Sequence, residues 1–232
     1  MEIYDILKCP DCIGKAKLIG KIHDSYWFAG NKLDKSINGG CLYRCRECLL
    51  AFRWPRLNKQ ILDSLYAKGA DNAWECSENK REDWIIARLF IEKNLKQGSK
   101  ILDIGCFNGD FLSQISSKYK KYGIEVNEFA LKKAINLNIN IMGKDYTTIN
   151  QKVDCITAFD VIEHVEHPLQ FIHKCYESIN DNGYLIISTG NYDAHSFKLL
   201  GSAYWYCAIS EHISFLGLEW LKKLQMKTKL RV

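Results

Sequence analysis

Ten cysteines occur in the 232 residues, and four of them form two Cys-x-x-Cys pairs, Cys9/Cys12 and Cys45/Cys48. Two such pairs supply four thiolates, and tetrahedral Zn²⁺ accepts four. Cys9, Cys12, Cys45 and Cys48 are therefore expected to hold a structural zinc ion. The gap between the pairs is longer than usual for such sites, and the stretch Asn31 to Gly40 reads as the loop that absorbs it. A redox dithiol is the alternative, but it would open a helix after a strand in a β-α-β setting. Cys41, Cys76, Cys106, Cys155, Cys175 and Cys207 are scattered and read as small buried residues or inert thiols.

A second constellation starts at Ile101. The run Ile101-Leu102-Asp103-Ile104-Gly105 reads as a buried strand ending in a turn, and a helix begins near Gly109. Gly105 permits a tight turn without a Cβ clash. Backbone N–H groups at the helix start are expected to be free for ligand polar groups. Asp103 at the strand end can accept from a cationic or N–H-rich ligand. The next strand ends at Glu125, 20 positions after Gly105. That is the spacing of a carboxylate that holds ribose hydroxyls. Its plainer reading is a surface Glu at a helix N-terminus.

Both constellations need elements to position them. Residues 1–56 contain short β-like runs, KAKLIGKI and CLYRC among them, and read as the metal-binding domain. Residues 57–98 read as a helical connection. LNKQILDSLYAK has helical spacing, and KREDWIIARLFIEKNL is an amphipathic helix with Trp84, Ile85 and Leu89 on its apolar face. From residue 99 to 232 strands and helices alternate. KILDIG, KKYGIEV, INIMGK, VDCITAFDV and GYLIISTG are the strands. GDFLSQISSKY, NEFALKKAINL and HPLQFIHKCYESI are the helices. Repeated β-α-β units imply an α/β fold with a Rossmann-like, doubly wound, mostly parallel sheet. Ligands in such sheets sit at the carboxyl ends of the strands.

Taken together, ILDIGCFNGDFL, YGIEVNEFA and ITAFDVIEHVEHP resemble the class I S-adenosylmethionine-dependent methyltransferases. The closest likeness is to the group of ubiquinone-biosynthesis O-methyltransferases. The resemblance implies that Asp103, Gly105, Cys106, Asn108 and Gly109 line the methionine side of the cofactor. It gives Glu125, with Val126, the ribose. It gives Asp145 the adenine amino group, with Tyr146 beside it. Asp160 and Val161 would border the methionine moiety and the acceptor. One departure is Phe107, where the family has glycine, and its side chain is expected to point away from the ligand. A nicotinamide-binding Rossmann domain is the competitor, and DVIEHVEHP argues against it. CPDC with YRCREC likewise resembles a zinc ribbon, and similar ribbons precede some methyltransferase domains.

A hydroxyl acceptor must lose a proton on methylation, and histidine suits that near neutral pH. His164, in EHVEHP, is the first candidate base. His212, in SEHISF, is the second. His167, beside Pro168, reads as a turn residue. Glu163, His164 and His167 are an alternative divalent-metal set, though their spacing is not diagnostic. Tyr192, Tyr204, Trp205 and Tyr206 would form an aromatic wall for a planar acceptor, or pack as an ordinary cap. The family adds two strands after LGLEWLKKL. A sequence ending at Val232 leaves room for one, so a C-terminally shortened sheet with an exposed edge is expected, and with it a homodimer.

The net charge is +5, and residues 1–60 carry the whole excess, with eleven Lys/Arg against six Asp/Glu. No apolar run is long enough to span a bilayer, and no secretory leader is visible, so a cytoplasmic protein without a membrane partner is expected. The leading expectation is a methyltransferase for a small-molecule acceptor, using S-adenosylmethionine and carrying structural zinc. One alternative is an RNA methyltransferase gripping RNA through Arg44, Arg46, Arg53, Arg56 and Lys59 with Tyr43, Phe52 and Trp54. Docking of the ribbon on the catalytic domain is the reading preferred to RNA binding. The other alternative is a degenerate, non-enzymatic fold used for protein interaction.

Overall fold

The computed structural model describes residues 7–57, 61–62, 65–66 and 81–227. In the N-terminal part, β1 (Ala16–Lys21) is followed by the hairpin β2 (Ser25–Phe28) and β3 (Asn31–Ile37). Next come β4 (Cys41–Cys45) and β5 (Ala51–Trp54). β4 pairs antiparallel with β1 on one side and β5 on the other. Asn31 to Ile37 is therefore a strand and not the expected loop. Its residues are mostly polar and exposed, so the segment lacks the apolar alternation that marks a half-buried strand.

Helix α1 (Glu82–Asn94) leads into the second part. There β6 (Lys100–Ile104) is followed by the single helical turn α2 (Asp110–Ser113), β7 (Lys120–Ile124) and α3 (Glu128–Asn136). β8 (Asn140–Gly143), β9 (Val153–Phe159), α4 (Pro168–Glu177) and β10 (Ile179–Ser188) complete the alternation. The five strands lie in the order β10-β9-β6-β7-β8, every pair parallel. β6 and β9 are buried almost throughout, as strands covered on both faces must be. α3 is capped by the Asn127 side chain, which accepts from the N–H groups of Phe129 and Ala130. Pro168 opens α4, where its missing N–H costs nothing.

Two helix expectations change. The helix expected over GDFLSQISSKY stops after one turn. Gln114 and Ile115 donate to carbonyls three residues back, and Ser116 and Ser117 are poor continuers. In α1 the buried positions are Ala87 and Ile91, while Leu89 is exposed. The helix anticipated over LNKQILDSLYAK falls largely outside the described residues.

After β10 come the short helices α5 (His195–Leu200) and α6 (Trp205–Ala208), strand β11 (Ser214–Phe215) and helix α7 (Leu218–Lys227). β11 joins the N-terminal sheet, not the parallel one. Ser214 pairs with Phe52 and Phe215 with Ala51. One core also spans both parts, since Cys9, Cys45, Leu50 and Phe52 pack with Leu102, Ile104, Phe171 and Trp220. Burying each large apolar side chain is worth about 2 kcal/mol, so this shared core locks the two parts together. No helix among the described residues is long and apolar enough to cross a membrane.

Candidate functional site

The carboxyl ends of β6, β7 and β9 open into a cavity of about 460 Å³. Such a crevice is where open parallel sheets hold ligands. Its wall contains every residue that the resemblance put on the cofactor except Gly109. Gly109 faces α3 instead, where a Cβ would lie 2.3 Å from Ile139. Gly105 has φ +72°, and a Cβ there would meet Val161 at 2.6 Å, so glycine is required.

Asp103 is 3 % exposed, and its carboxylate accepts from the Thr157 hydroxyl at 2.6 Å. Burial pushes its pKa up to about 7. Glu125 accepts from the N–H of Phe107 at 2.8 Å and of Asn127 at 2.7 Å, and burial raises its pKa as well. The turn's N–H groups are more occupied than expected. Those of Gly105 and Cys106 donate to the Ile124 carbonyl, and that of Asp110 to Asn108. Phe107, at φ +44°, forms part of the cavity wall, where glycine would carry no side chain. Asp145 accepts from the N–H and hydroxyl of Thr147, which fixes the turn that carries Tyr146.

Arg81 and Trp84 were missed as site residues. Arg81 bonds Asp160 at 2.8 Å and Asp83 at 2.5 Å, and its guanidinium lies over the Trp84 ring. Both line the cavity, and the buried Trp84 indole N–H has no hydrogen-bond partner among the described residues. They sit at the start of α1, in a stretch whose only sequence signal was helical spacing.

At the other end of the cavity stands His164. Its Nδ1 lies 3.1 Å from the Glu211 carbonyl and 3.1 Å from the Tyr66 hydroxyl. A carbonyl only accepts, so Nδ1 carries the proton and Nε2 keeps its lone pair. Burial lowers the His164 pKa, which favours the neutral ring. His212 is behind it, with ring centroids 4.9 Å apart, and does not line the cavity. Its Nδ1 donates to the Tyr206 carbonyl, and burial, with His164 beside it, pushes its pKa down to about 2. Glu163 accepts from the hydroxyls of Tyr206 at 2.5 Å and Thr189 at 2.9 Å.

Glu163 and His164 gather with His212 and not with His167, whose Nδ1 donates to the Pro10 carbonyl. The aromatic wall does not form. Tyr192, Tyr204 and Tyr206 pack with Phe197 and Phe215 in a core of their own, and Trp205 is 62 % exposed.

The four cysteines of the two pairs come together. Their sulfurs all lie within 4.8 Å of one another, with Cys9 to Cys48 at 3.6 Å and Cys12 to Cys45 at 3.4 Å. Zinc–sulfur bonds of about 2.3 Å in a tetrahedron put sulfurs about 3.8 Å apart, so the donor set fits zinc. The N–H groups of Glu47 and Cys48 point at the Cys45 sulfur. Cys41 stands apart from the cluster. The turn between Cys9 and Cys12 touches the loop after β9, through His167 to Pro10 and through Asp11, which accepts from the Leu169 N–H at 3.2 Å.

Residues 77–231 match the methyltransferase-domain family. The chain belongs to this family. The match covers the parallel sheet and most of the cavity wall and leaves β1 to β5 with the two cysteine pairs outside. Among curated methyltransferases, the ubiquinone biosynthesis O-methyltransferase of Coxiella burnetii is 30 % identical over 129 residues, half of this chain and 55 % of the relative. The mitochondrial enzyme of Schizosaccharomyces pombe is 29 % identical over 117 residues, 45 % of this chain and 42 % of its own. The chain thus spans about half the length of the curated relatives it matches. Among solved structures, the complex between the Haloferax volcanii Trm112 methyltransferase activator and a putative methyltransferase superposes with TM-score 0.54 at 14 % identity. It covers 71 % of this chain and 74 % of that one. The plantazolicin methyltransferase BpumL, in complex with a triazolic desmethylPZN analog and SAH, gives TM-score 0.52 at 21 % identity, covering 74 % of this chain and 69 % of that one. These likenesses establish the fold.

Proposed function

We propose that the protein is an S-adenosylmethionine-dependent methyltransferase for a small-molecule acceptor, with a structural zinc ion in its N-terminal ribbon. The observation that carries the reading is the cavity itself. It gathers Asp103, Glu125, Asp145 and Asp160 at the carboxyl ends of a methyltransferase-family sheet, with His164 at the far end.

When bound, S-adenosylmethionine would supply an electrophilic methyl group on a sulfonium. Glu125 offers carboxylate oxygens to two ribose hydroxyls, and its bonds from Phe107 and Asn127 hold it in place. Asp103 and Asp160 bring negative charge to the region that would receive the cationic methionine end. Asp145 and Tyr146 border the adenine. At the acceptor end, His164 takes the proton at Nε2 as the acceptor oxygen forms its bond to carbon. His212 and Glu211 fix the orientation of that ring. Three of the arginines considered for RNA binding, Arg44, Arg53 and Arg56, are engaged within the chain. Arg44 bonds Glu219, and Arg53 donates to the carbonyls of His212 and Ile209.

Calorimetric titration with S-adenosylhomocysteine tests the reading. Micromolar binding is expected, weakened at least about tenfold in Asp103→Ala and Glu125→Ala, the order expected for losing one charge-assisted hydrogen bond. A folded, zinc-loaded protein that binds no S-adenosylhomocysteine would sink it.

A further inference from the structure

Arg56 lies two residues beyond β5, outside the residues matched to the methyltransferase family, yet its side chain reaches the cavity wall near His164. Its guanidinium is held by carbonyls. Nη1 donates to Glu166 at 2.8 Å, Nε to Arg53 at 3.4 Å and Nη2 to Ile213 at 3.4 Å. A guanidinium has five N–H donors. Three directions are occupied, which fixes the plane of the group and leaves one donor on each terminal nitrogen.

The carbonyls answer hydrogen bonds but not the positive charge. Arg53 is likewise held by carbonyls, but it does not line the cavity. Arg44 is paired with Asp193 and Glu219, and Arg81 with Asp83 and Asp160. Among the described residues no carboxylate oxygen comes within 4.0 Å of Arg56. The negative groups that act on it from farther away are Glu166, which is solvent-exposed, Asp11, which is engaged by the Leu169 N–H, and Cys9, which belongs to the cysteine cluster. A half-buried guanidinium stays charged and favours planar, bidentate oxyanions. The apolar Leu57, Leu62, Val165 and Ile213 line the same cavity, with Tyr66 and Glu166 among them.

We propose that Arg56 anchors an oxyanion on the methyl acceptor, a carboxylate or a phosphate group. The acceptor is then a small, largely apolar hydroxyl compound with an acidic substituent, the acid on Arg56 and the hydroxyl toward His164. This rests on the methyltransferase reading for the identity of the reaction, but not for the existence of the anion site.

The test uses the full chain loaded with zinc, with and without saturating S-adenosylhomocysteine, and three probes: 4-hydroxybenzoate, 4-hydroxyphenyl phosphate and phenol. Binding is followed by NMR titration. Both acidic probes, or the one whose geometry fits, should bind at least about tenfold more tightly than phenol, the order expected for a charge-assisted bidentate contact. The comparison of the two acids separates carboxylate from phosphate. Arg56→Gln should erase the preference for acids while leaving S-adenosylhomocysteine affinity unchanged. Arg56→Lys, which keeps the charge if Gln destabilises the loop, should retain part of it.

Equal binding of phenol and the acids, or an acid preference that survives in Arg56→Gln, overturns the proposal. So does a loss of S-adenosylhomocysteine affinity in Arg56→Gln, which would place the arginine on the cofactor. An acid preference that depends on Arg56 in a protein that binds no S-adenosylhomocysteine upholds the anion site and overturns only the transfer reading.

Discussion

Asp11, in the turn between Cys9 and Cys12, accepts a hydrogen bond from the backbone N–H of Leu169 in the first turn of α4. An orphan donor of the helix is thereby satisfied from the turn between Cys9 and Cys12, and a carboxylate sits at the positive end of the helix. The loop that carries Glu163 and His164 ends at this same turn. The cysteine cluster and the cavity therefore share a mechanical connection. Full loading should give one zinc per chain by metal analysis. Chelation should lower the melting temperature and weaken S-adenosylhomocysteine binding together. Asp11→Ala should retain zinc and cost about 1 kcal/mol, the usual value of a helix cap. Unchanged S-adenosylhomocysteine affinity in the metal-free protein would show that the connection carries no energy.

Arg53 forms the second connection. It is 4 % exposed and donates to the carbonyls of His212 and Ile209, at 3.0 and 2.9 Å, while its own N–H bonds the Ile213 carbonyl at 3.0 Å. Replacing it by methionine keeps the volume and strands those carbonyls. The expected loss is about 3 kcal/mol, the scale for breaking a buried charged contact. Urea unfolding followed by circular dichroism measures it. A loss below about 1 kcal/mol would mean that the strand pairing of β5 with β11 holds the sheet without help.

The buried carboxyls set a pH dependence. Asp103 releases its proton near 3.8 when unfolded and near 7 when folded. Glu163, held up to about 7, behaves alike. Between about pH 4 and 7 the folded state keeps protons that the unfolded chain has lost, so their contribution to stability falls as pH rises. The stability of the ligand-free protein at constant zinc should therefore fall more steeply across this window than that of Asp103→Asn. Parallel pH profiles for the two proteins would remove Asp103 as the cause.

Much of the fold was legible because its strands obey simple rules. β6 and β9 are mostly apolar and buried almost throughout, as strands covered on both faces must be, and Asp103 and Glu125 mark the ends of β6 and β7. Local pattern carried no trace of β11, a strand of two residues whose partner lies more than 160 positions away. Nor did it separate an aromatic cap from an aromatic wall, because Tyr192 and Tyr206 have the same composition in either role. Arg81 and Trp84 were hidden for a related reason. They reach the cavity through the placement of α1, which depends on long-range packing. The eleven basic residues of the first quarter look like one patch in the sequence. In space Arg44, Arg53 and Arg56 point inward to three different sets of partners.

The two histidines separate by position. His164 lines the cavity with Nε2 unprotonated, whereas His212 is 6 % exposed behind it. With an acceptor in hand, His164→Gln should lower kcat by about 10²- to 10⁴-fold, the range for removing a general base. S-adenosylhomocysteine affinity should stay within about twofold, since the ring makes no contact on the cofactor side. His212→Gln should lower kcat far less, because its ring packs behind His164 and does not line the cavity. Equal losses of kcat in both variants would assign the two rings a shared structural role and move the base elsewhere. A pH-independent rate in the wild type would remove the base from the reaction altogether and leave positioning of the acceptor as the work of this site.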